Sequence, residues 1–484
     1  MATRKNMAAR KNMAARKKTK ARSGKQTGSA AKTRANKAPP PAAQPSGGAV
    51  VAAGGSVAGL RVRMFRIGFG DFFLVTVPTA AGEKHILIDC GVHAKDLGTM
   101  PDAVSQMAQA CNSQLALIIV THRHADHISG FGTCKDIFRK ITVERVWMSW
   151  FEDPDNKNAV AFQASLAAMA AQVGNSLAAR RDPGVREFAD MVENITGAMT
   201  VAGQAGNQQA LAVIHGGFAN TPQYNYYKAG DTPTLPPDLV AAGLSAQILG
   251  PPIDATLVSQ MTNKNQQYLS ATDASDDTSL KPFTSQFKSS AADYPKEAFR
   301  LFSAEDIAKT IASNQPDTLA ARAVAADKTL NNQSVVALFS FRGKNLLFAG
   351  DAQWGNWENF LYGGAYGTPG HTDLTDKAKT ILSQIDFYKV GHHGSANATP
   401  KDAVSAMRHG CVGMCSTQPG AYNEVPRMPL LQALSDKMDG QLARSDQIPA
   451  SKSGGANQAP SSDAGPLPSK FTDPTGALYV DYEF

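Results

Sequence analysis

The residues able to do chemistry crowd into one stretch, Leu115–Gly130, LALIIVTHRHADHISG. His122, His124, Asp126 and His127 put four potential metal ligands within six residues. Imidazole and carboxylate together suit Zn²⁺, Mn²⁺ or Fe, and ligands divided this way suit a pair of adjacent ions. The alternative, a polar loop that merely contains histidines, leaves unexplained why three of the chain's ten His and an Asp gather here. Two further sets follow apolar runs. Asp351 comes directly after Asn345–Gly350, and His392 and His393 come after Phe387–Val390. Asp89 ends the run HILID, where a capping or turn role is as ordinary as a site role.

These groups need elements to hold them. Leu115–Val120 is an unbroken apolar run rich in Ile, the pattern of a strand buried on both faces. If the backbone stays extended past Thr121, His122 and His124 point to the same side, since side chains alternate along a strand. Asp126 and His127 are then expected on the turn that leaves the strand. Upstream, Arg61–Val77 predicts two strands joined at Gly68–Asp71, His85–Asp89 a third strand, and Asp102–Ala110 a helix. Downstream, Phe131–Lys140 predicts a helix and Val143–Trp150 a strand. The late runs Asn345–Ala349 and Phe387–Val390 predict strands whose ends deliver Asp351, His392 and His393. Strand ends on one side of a sheet converge, so separate loops can feed one cleft.

Four blocks, in order, resemble the metallo-β-lactamase superfamily. They are IGFGDFFLV with ILIDCG, then THRHADH, then Asn331, Asn332 and Ser334 leading into VVALFSFRGKNLLFAGD, and last FYKVGHHGS. THRHADH matches that superfamily's HxHxDH. GHHGS narrows the resemblance to a branch similar to the soluble hydrolase domain of the competence DNA-uptake protein ComEC. ILGPP at Ile248–Pro252 resembles a strand-end block of the same branch. The resemblance implies an α/β fold, the αββα sandwich, and two divalent metal ions, Zn first with Mn or Fe as alternatives. Carried over, His122 and His124 bind one ion, Asp126, His127 and His392 the other, and Asp351 bridges them. His393 is then a catalytic or substrate-facing group, although the two His could exchange roles. The superfamily's usual further His, between HxHxDH and the bridging Asp, has one counterpart here, His215, which is a ligand or simply an exposed or structural residue.

The 484 residues suffice for a large core, and 43% hydrophobic with 18% charged residues is a globular balance. The net charge of +7 divides unevenly. Residues 1–40 hold 13 Lys and Arg and no acid, leaving 35 basic against 41 acidic residues in the rest. RKNMAA occurs twice in succession, at Arg4–Ala9 and Arg10–Ala15, and the basic run continues to a Pro- and Gly-rich linker at Pro39–Gly48. Such a like-charged, core-less segment is expected to stay disordered. The expected division is therefore 1–59 as basic tail and linker and 60–484 as hydrolase domain. Within the latter, 151–330 is read as a mainly helical insertion with helices at Asn158–Arg181, Val185–Met199 and Phe302–Ala312. Trp147, Trp150, Trp354 and Trp357 flank the site blocks and read as core or cleft wall before base-stacking platforms. Five scattered cysteines suit reduced thiols and a cytoplasmic location, and no run is long and apolar enough to span a bilayer. Oligomeric state is not legible.

The function expected is metal-dependent hydrolysis, with a metal-bound hydroxide as nucleophile and Asp126 orienting it. The resemblance favours phosphodiesters in a nuclease-like activity, and a basic tail suits nucleic acid, attracted without regard to sequence. The alternatives are hydrolysis of a small ester, lactone or amide, or a nucleic-acid-binding protein whose metal fold is structural.

Overall fold

The computed structural model describes residues 59–164, 168, 207–268, 329–369, 371–422, 425–450, 459–462 and 464–484. All belong to one unit, Val57–Phe484. The basic tail, the helices expected at Val185–Met199 and Phe302–Ala312, and most of Asn158–Arg181 lie outside the described residues.

Among the described residues, fourteen strands form two sheets. The first takes β1 (Arg61–Phe65), β2 (Phe72–Thr79), β3 (Gly82–Cys90), β4 (Gln114–Ile119), β5 (Thr142–Ser149) and β6 (Gln223–Tyr227), with β13 (Phe471–Thr472) and β14 (Tyr479–Glu483). Its order is β13-β14-β1-β2-β3-β4-β5-β6. The second takes β7 (Leu244–Gly250), β8 (Val336–Phe341), β9 (Lys344–Phe348), β10 (Phe387–Lys389), β11 (Val412–Cys415) and β12 (Leu442–Arg444), in the order β12-β11-β10-β9-β8-β7. Pairing changes within each sheet: β3 to β6 run parallel, as do β9 to β12, and the remaining pairs are antiparallel.

Alternation along the strands builds three cores. Val62, Met64, Phe73, Val75, Ile86 and Trp147 face Phe339, Phe348, Phe387 and Met414 between the sheets. Trp147 and Phe339 stack across this seam with ring planes 13° apart. The intervening residues, Phe72, Leu74, Leu87 and Ile118, turn outward against α1 (Met100–Ala110) and α2 (Ala125–Thr133). Leu338, Leu347 and Tyr388 turn outward on the other side against Trp357, Leu361, Ile381 and Leu382. Helices therefore cover both outer faces, and the chain is an αββα sandwich. The interval 151–330 contributes to that frame as well as interrupting it, since β6 and β7 each form one edge of a sheet.

One expected boundary moved. α2 begins at Ala125, well before the helix expected at Phe131, so Asp126 and His127 sit in its first turn. Gly130 and Gly132 lower the helical tendency of this stretch, which is why the sequence hid it. Close packing on β3 overrides them: a Cβ on Gly130 would lie 2.6 Å from Cys90 Sγ. Gly91 works from the other side, because its absent Cβ would lie 2.4 Å from His127 N. The five cysteines are free and buried. Among the described residues no helix is long and apolar enough to cross a membrane.

Candidate metal centre

The site forms where parallel strands of both sheets end on the same side. β3 ends with Asp89 and Cys90, β4 runs into His122, β9 leads to Asp351 and β10 to His392 and His393. Asp71 joins them at the start of β2, which pairs antiparallel with the end of β3. Three of these residues are held in the left-handed region, Asp89 at φ 54°, His392 at φ 45° and His393 at φ 52°. Such backbone costs roughly 1–3 kcal/mol per residue and persists where the surroundings over-determine it.

Three buried imidazoles, His127, His393 and His122, are each tied at Nδ1 by an outer group. His127 Nδ1 donates to Asp89 Oδ2 at 2.8 Å, and Asp89 also accepts from Thr121 N and Thr121 Oγ1 at 2.8 and 2.7 Å. His393 Nδ1 donates to Ser416 O at 3.0 Å. His122 Nδ1 faces the hydroxyls of Thr121 at 3.1 Å and Ser334 at 3.3 Å. With Thr121 Oγ1 donating to Asp89, that hydroxyl accepts from His122. In the neutral ring the opposite nitrogen carries the lone pair, the arrangement by which outer hydrogen bonds prepare a histidine for metal.

Those lone pairs converge. Asp126 Oδ2 lies 3.1 Å from His393 Nε2, and His127 Nε2 lies 3.2 Å from Asp351 Oδ2. His393 Nε2 to Asp351 Oδ2 is 3.6 Å, and His127 Nε2 to Asp126 Oδ2 is 3.9 Å. A tetrahedral ion with ligands at 2.0–2.1 Å spaces them about 3.3 Å apart, so Asp126, His127, Asp351 and His393 fit one. His127 Nε2 is buried with no hydrogen-bond partner, a cost that a metal would remove. His122 Nε2 and His124 Nδ1 face each other at 3.0 Å as a second donor pair.

Charge follows the geometry. Burial opposes the charged form of His127, yet Asp351, Asp89 and Asp126 outweigh it and raise its pKa well above the usual value. Burial likewise opposes ionisation of Asp351, but His127, His393 and His392 hold it well below the usual carboxylate range. His122 is pushed well down by burial, then by His127 and His124, so it stays neutral and able to ligate.

The expected residues do come together, with one difference inside the pair. His393, fully buried, enters the four-ligand group. His392 sits at the rim with its side chain 22% exposed and Nε2 3.9 Å from Asp351 Oδ2. Its Nδ1 donates to Asn397 Oδ1 at 3.2 Å, and Asn331 Nδ2 approaches its Nε2 at 3.4 Å. His215 is exposed beside Tyr224 and outside the ligand groups found among the described residues. Trp147, Trp354 and Trp357 are buried, as wall or core.

Two site residues escaped the sequence reading, Lys389 and Asp71. Lys389 is 2% exposed, forms a close ion pair with Asp71 Oδ2, donates to Gly350 O at 3.0 Å and lies 3.7 Å from Asp351 Oδ1. Asp71 Oδ1 in turn lies 3.4 Å from His393 Nδ1. Asp351 Oδ1 also accepts from His392 N at 3.1 Å, so Oδ2 is left to face the ligand group. The signal was present: a lone Lys in the apolar run FYKV, and an Asp immediately after the Gly-rich turn IGFG.

No protein-family model matches the sequence, and no curated protein matches it. Among solved structures, the chain is similar to the metallo-β-lactamase fold protein YhfI from Bacillus subtilis at 8% identity, over 79% of this chain and 96% of that one, with a TM-score of 0.29. A diphosphatase of the PhnP family aligns at 8% identity over 73% and 85% of the two chains, with a TM-score of 0.26. A β-lactamase domain protein from Burkholderia ambifaria aligns at 15% identity over 39% and 44%, with a TM-score of 0.21. At such scores the fold and the site stand on strand order and ligand geometry alone.

Proposed function

We propose that this protein is a metal-dependent hydrolase of phosphodiesters. The carrying observation is the ligand group itself, in which Asp126, His127, Asp351 and His393 turn tied imidazoles and buried carboxylates toward one point. In this reading His122 and His124 hold one ion, and Asp126, His127 and His393 hold the other. Asp351 lies between them. His393 thus takes the ligand place expected of His392, which faces substrate from the rim. The bound ions would supply a nucleophile at neutral pH and neutralise charge on the scissile group. Lys389 and the His392 amide fix Asp351, Asp89 fixes His127, and Ser416 fixes His393. The phosphodiester class is supported by the GHHGS resemblance and by the cationic tail, which would gather nucleic acid. Residues 1–59 serve as tail and 60–484 as the hydrolase domain.

The test is metal analysis of the purified protein together with turnover of bis(p-nitrophenyl) phosphate. Asp351→Asn keeps the size and removes the charge, so turnover should fall by orders of magnitude with weaker retention of at least one ion. Near-wild-type turnover in that variant would reject the assignment.

A further inference from the structure

Three loops meet beside His393. Phe69 N donates to Ala94 O at 3.1 Å and His93 N to Phe69 O at 3.0 Å, which zips the loop before β2 to the loop after β3. The loop after β11 brings in Tyr422. The Phe69 ring lies 4.2 Å from the His393 ring and 5.0 Å, edge on, from the Tyr422 ring. Phe69 is 4% exposed and carries the contact inward, whereas Tyr422 is 48% exposed. Among the described residues it is the one aromatic among the exposed large apolar side chains.

A cation lies against the same loop. Lys95 is exposed, and a Cβ on Gly420 would lie 3.7 Å from its Cε, so the lysine leans over the loop that carries Tyr422. Lys95 is itself held at φ 50°, in the left-handed region that a side-chain-bearing residue seldom adopts. Aromatic face and mobile ammonium are the two elements with which proteins hold single-stranded nucleotides, stacking the base and attracting the phosphate.

We propose that Tyr422, backed by Phe69 and flanked by Lys95, forms a nucleotide subsite that stacks the base next to the scissile phosphodiester. The subsite rests on the phosphodiester reading and narrows it to nucleotide-containing substrates. Stacking accepts any base, so the preference is for a nucleoside over a small alkyl group and not for one sequence.

Two esters with the same leaving group separate these ideas, p-nitrophenyl thymidine 5′-phosphate and methyl p-nitrophenyl phosphate, with the metal-loaded full chain. Tyr422→Ala should lower kcat/KM for the nucleoside ester relative to the methyl ester by roughly 5- to 150-fold, mainly through KM. Tyr422→Phe should keep the wild-type ratio. In calorimetry, thymidine 5′-monophosphate should bind Tyr422→Ala more weakly than wild type, and Lys95→Gln should weaken the monophosphate but not thymidine. An unchanged ratio, or an equal fall for both esters, overturns the subsite. If wild type cleaves neither ester, the phosphodiester reading fails and calorimetry alone decides. Monophosphate binding that depends on Tyr422 then sustains the subsite, and absent or Tyr422-independent binding removes it.

Discussion

His127 carries the proposed metal role at the scale of one side chain. Its Nδ1–H is spent on Asp89, and its Nε2 is buried, bare and 3.2 Å from Asp351 Oδ2. Asp89→Asn keeps the shape but replaces a charged acceptor by an amide that can present its NH₂ to the ring. Metal affinity, measured by chelator competition, should drop about 10- to 100-fold while the thermal midpoint of the metal-free protein changes little. Lys389 acts from beneath. Removing one partner of a buried ion pair typically costs about 3–5 kcal/mol, because the other charge stays behind. Lys389→Met should therefore strand Asp71 and destabilise the metal-free fold by that order in urea titration. Added metal should recover part of the loss, since the ions supply positive charge to the same carboxylates. Equal stability of variant and wild type without metal would show that the Lys389–Asp71 pair is not a structural charge.

At the scale of elements, the metal loop is clamped from outside the ligand set. Arg123, between the two His of HRH, makes a bidentate pair with Glu152 at 2.8 and 2.6 Å, both side chains buried. The short turn Trp150–Glu152 that carries Glu152 follows β5 directly, so the pair ties the end of β4 to the end of β5. The seam between sheets depends on Trp147, fully buried and stacked on Phe339. Trp147→Ala should cost about 3–5 kcal/mol of unfolding free energy by urea titration. Trp147→Phe should cost clearly less, because it keeps an aromatic ring and removes an indole N–H that is buried without a partner. A Phe variant as unstable as the Ala variant would mean that the ring contributes little to the seam.

For the whole molecule, pH acts through a residue far from catalysis in role. His85 is 5% exposed and shares a hydrogen bond with Thr76 Oγ1 at 3.1 Å. Burial, then Arg61 and Arg63, lower its pKa from 6.5 to about 4. The unfolded chain takes up this proton below about pH 6.5 and the folded chain only near pH 4. The contribution is therefore complete above pH 6.5 and declines as the pH falls toward 4, by about 3 kcal/mol at most. His85→Asn, which can keep the link to Thr76, should flatten the stability difference over that window. The role proposed for the tail is tested with salt. Deleting residues 1–48 should reduce nucleic-acid affinity and its salt slope, about −0.9 per phosphate on duplex DNA, while turnover of a small phosphodiester persists. Equal affinity with and without the tail at low salt would dispose of its polyanion role.

Much of this was legible in one dimension because its physics is local. A Gly-containing turn separated β1 from β2, apolar runs marked β4 and the late strands, and His122 and His124 were bound to share a side once the backbone was extended. Strand ends told where Asp351 and His393 would be delivered. Other features depend on groups far apart in the chain. Gly130 and Gly132 argue against a helix until β3 packs on the first and the Asn207–Ile214 helix on the second. Neither His of GHHGS is distinguished by spacing; only the left-handed backbone at both residues and the acceptor Ser416 O turn His393 inward and leave His392 at the rim. Lys389 and Asp71 are 318 residues apart in sequence and meet because the end of β10 in one sheet faces the start of β2 in the other. Which residue types the site uses was set by the sequence, and which nitrogen faces which oxygen was decided by the sandwich, because that depends on hydrogen bonds between elements that only tertiary packing brings within 3 Å.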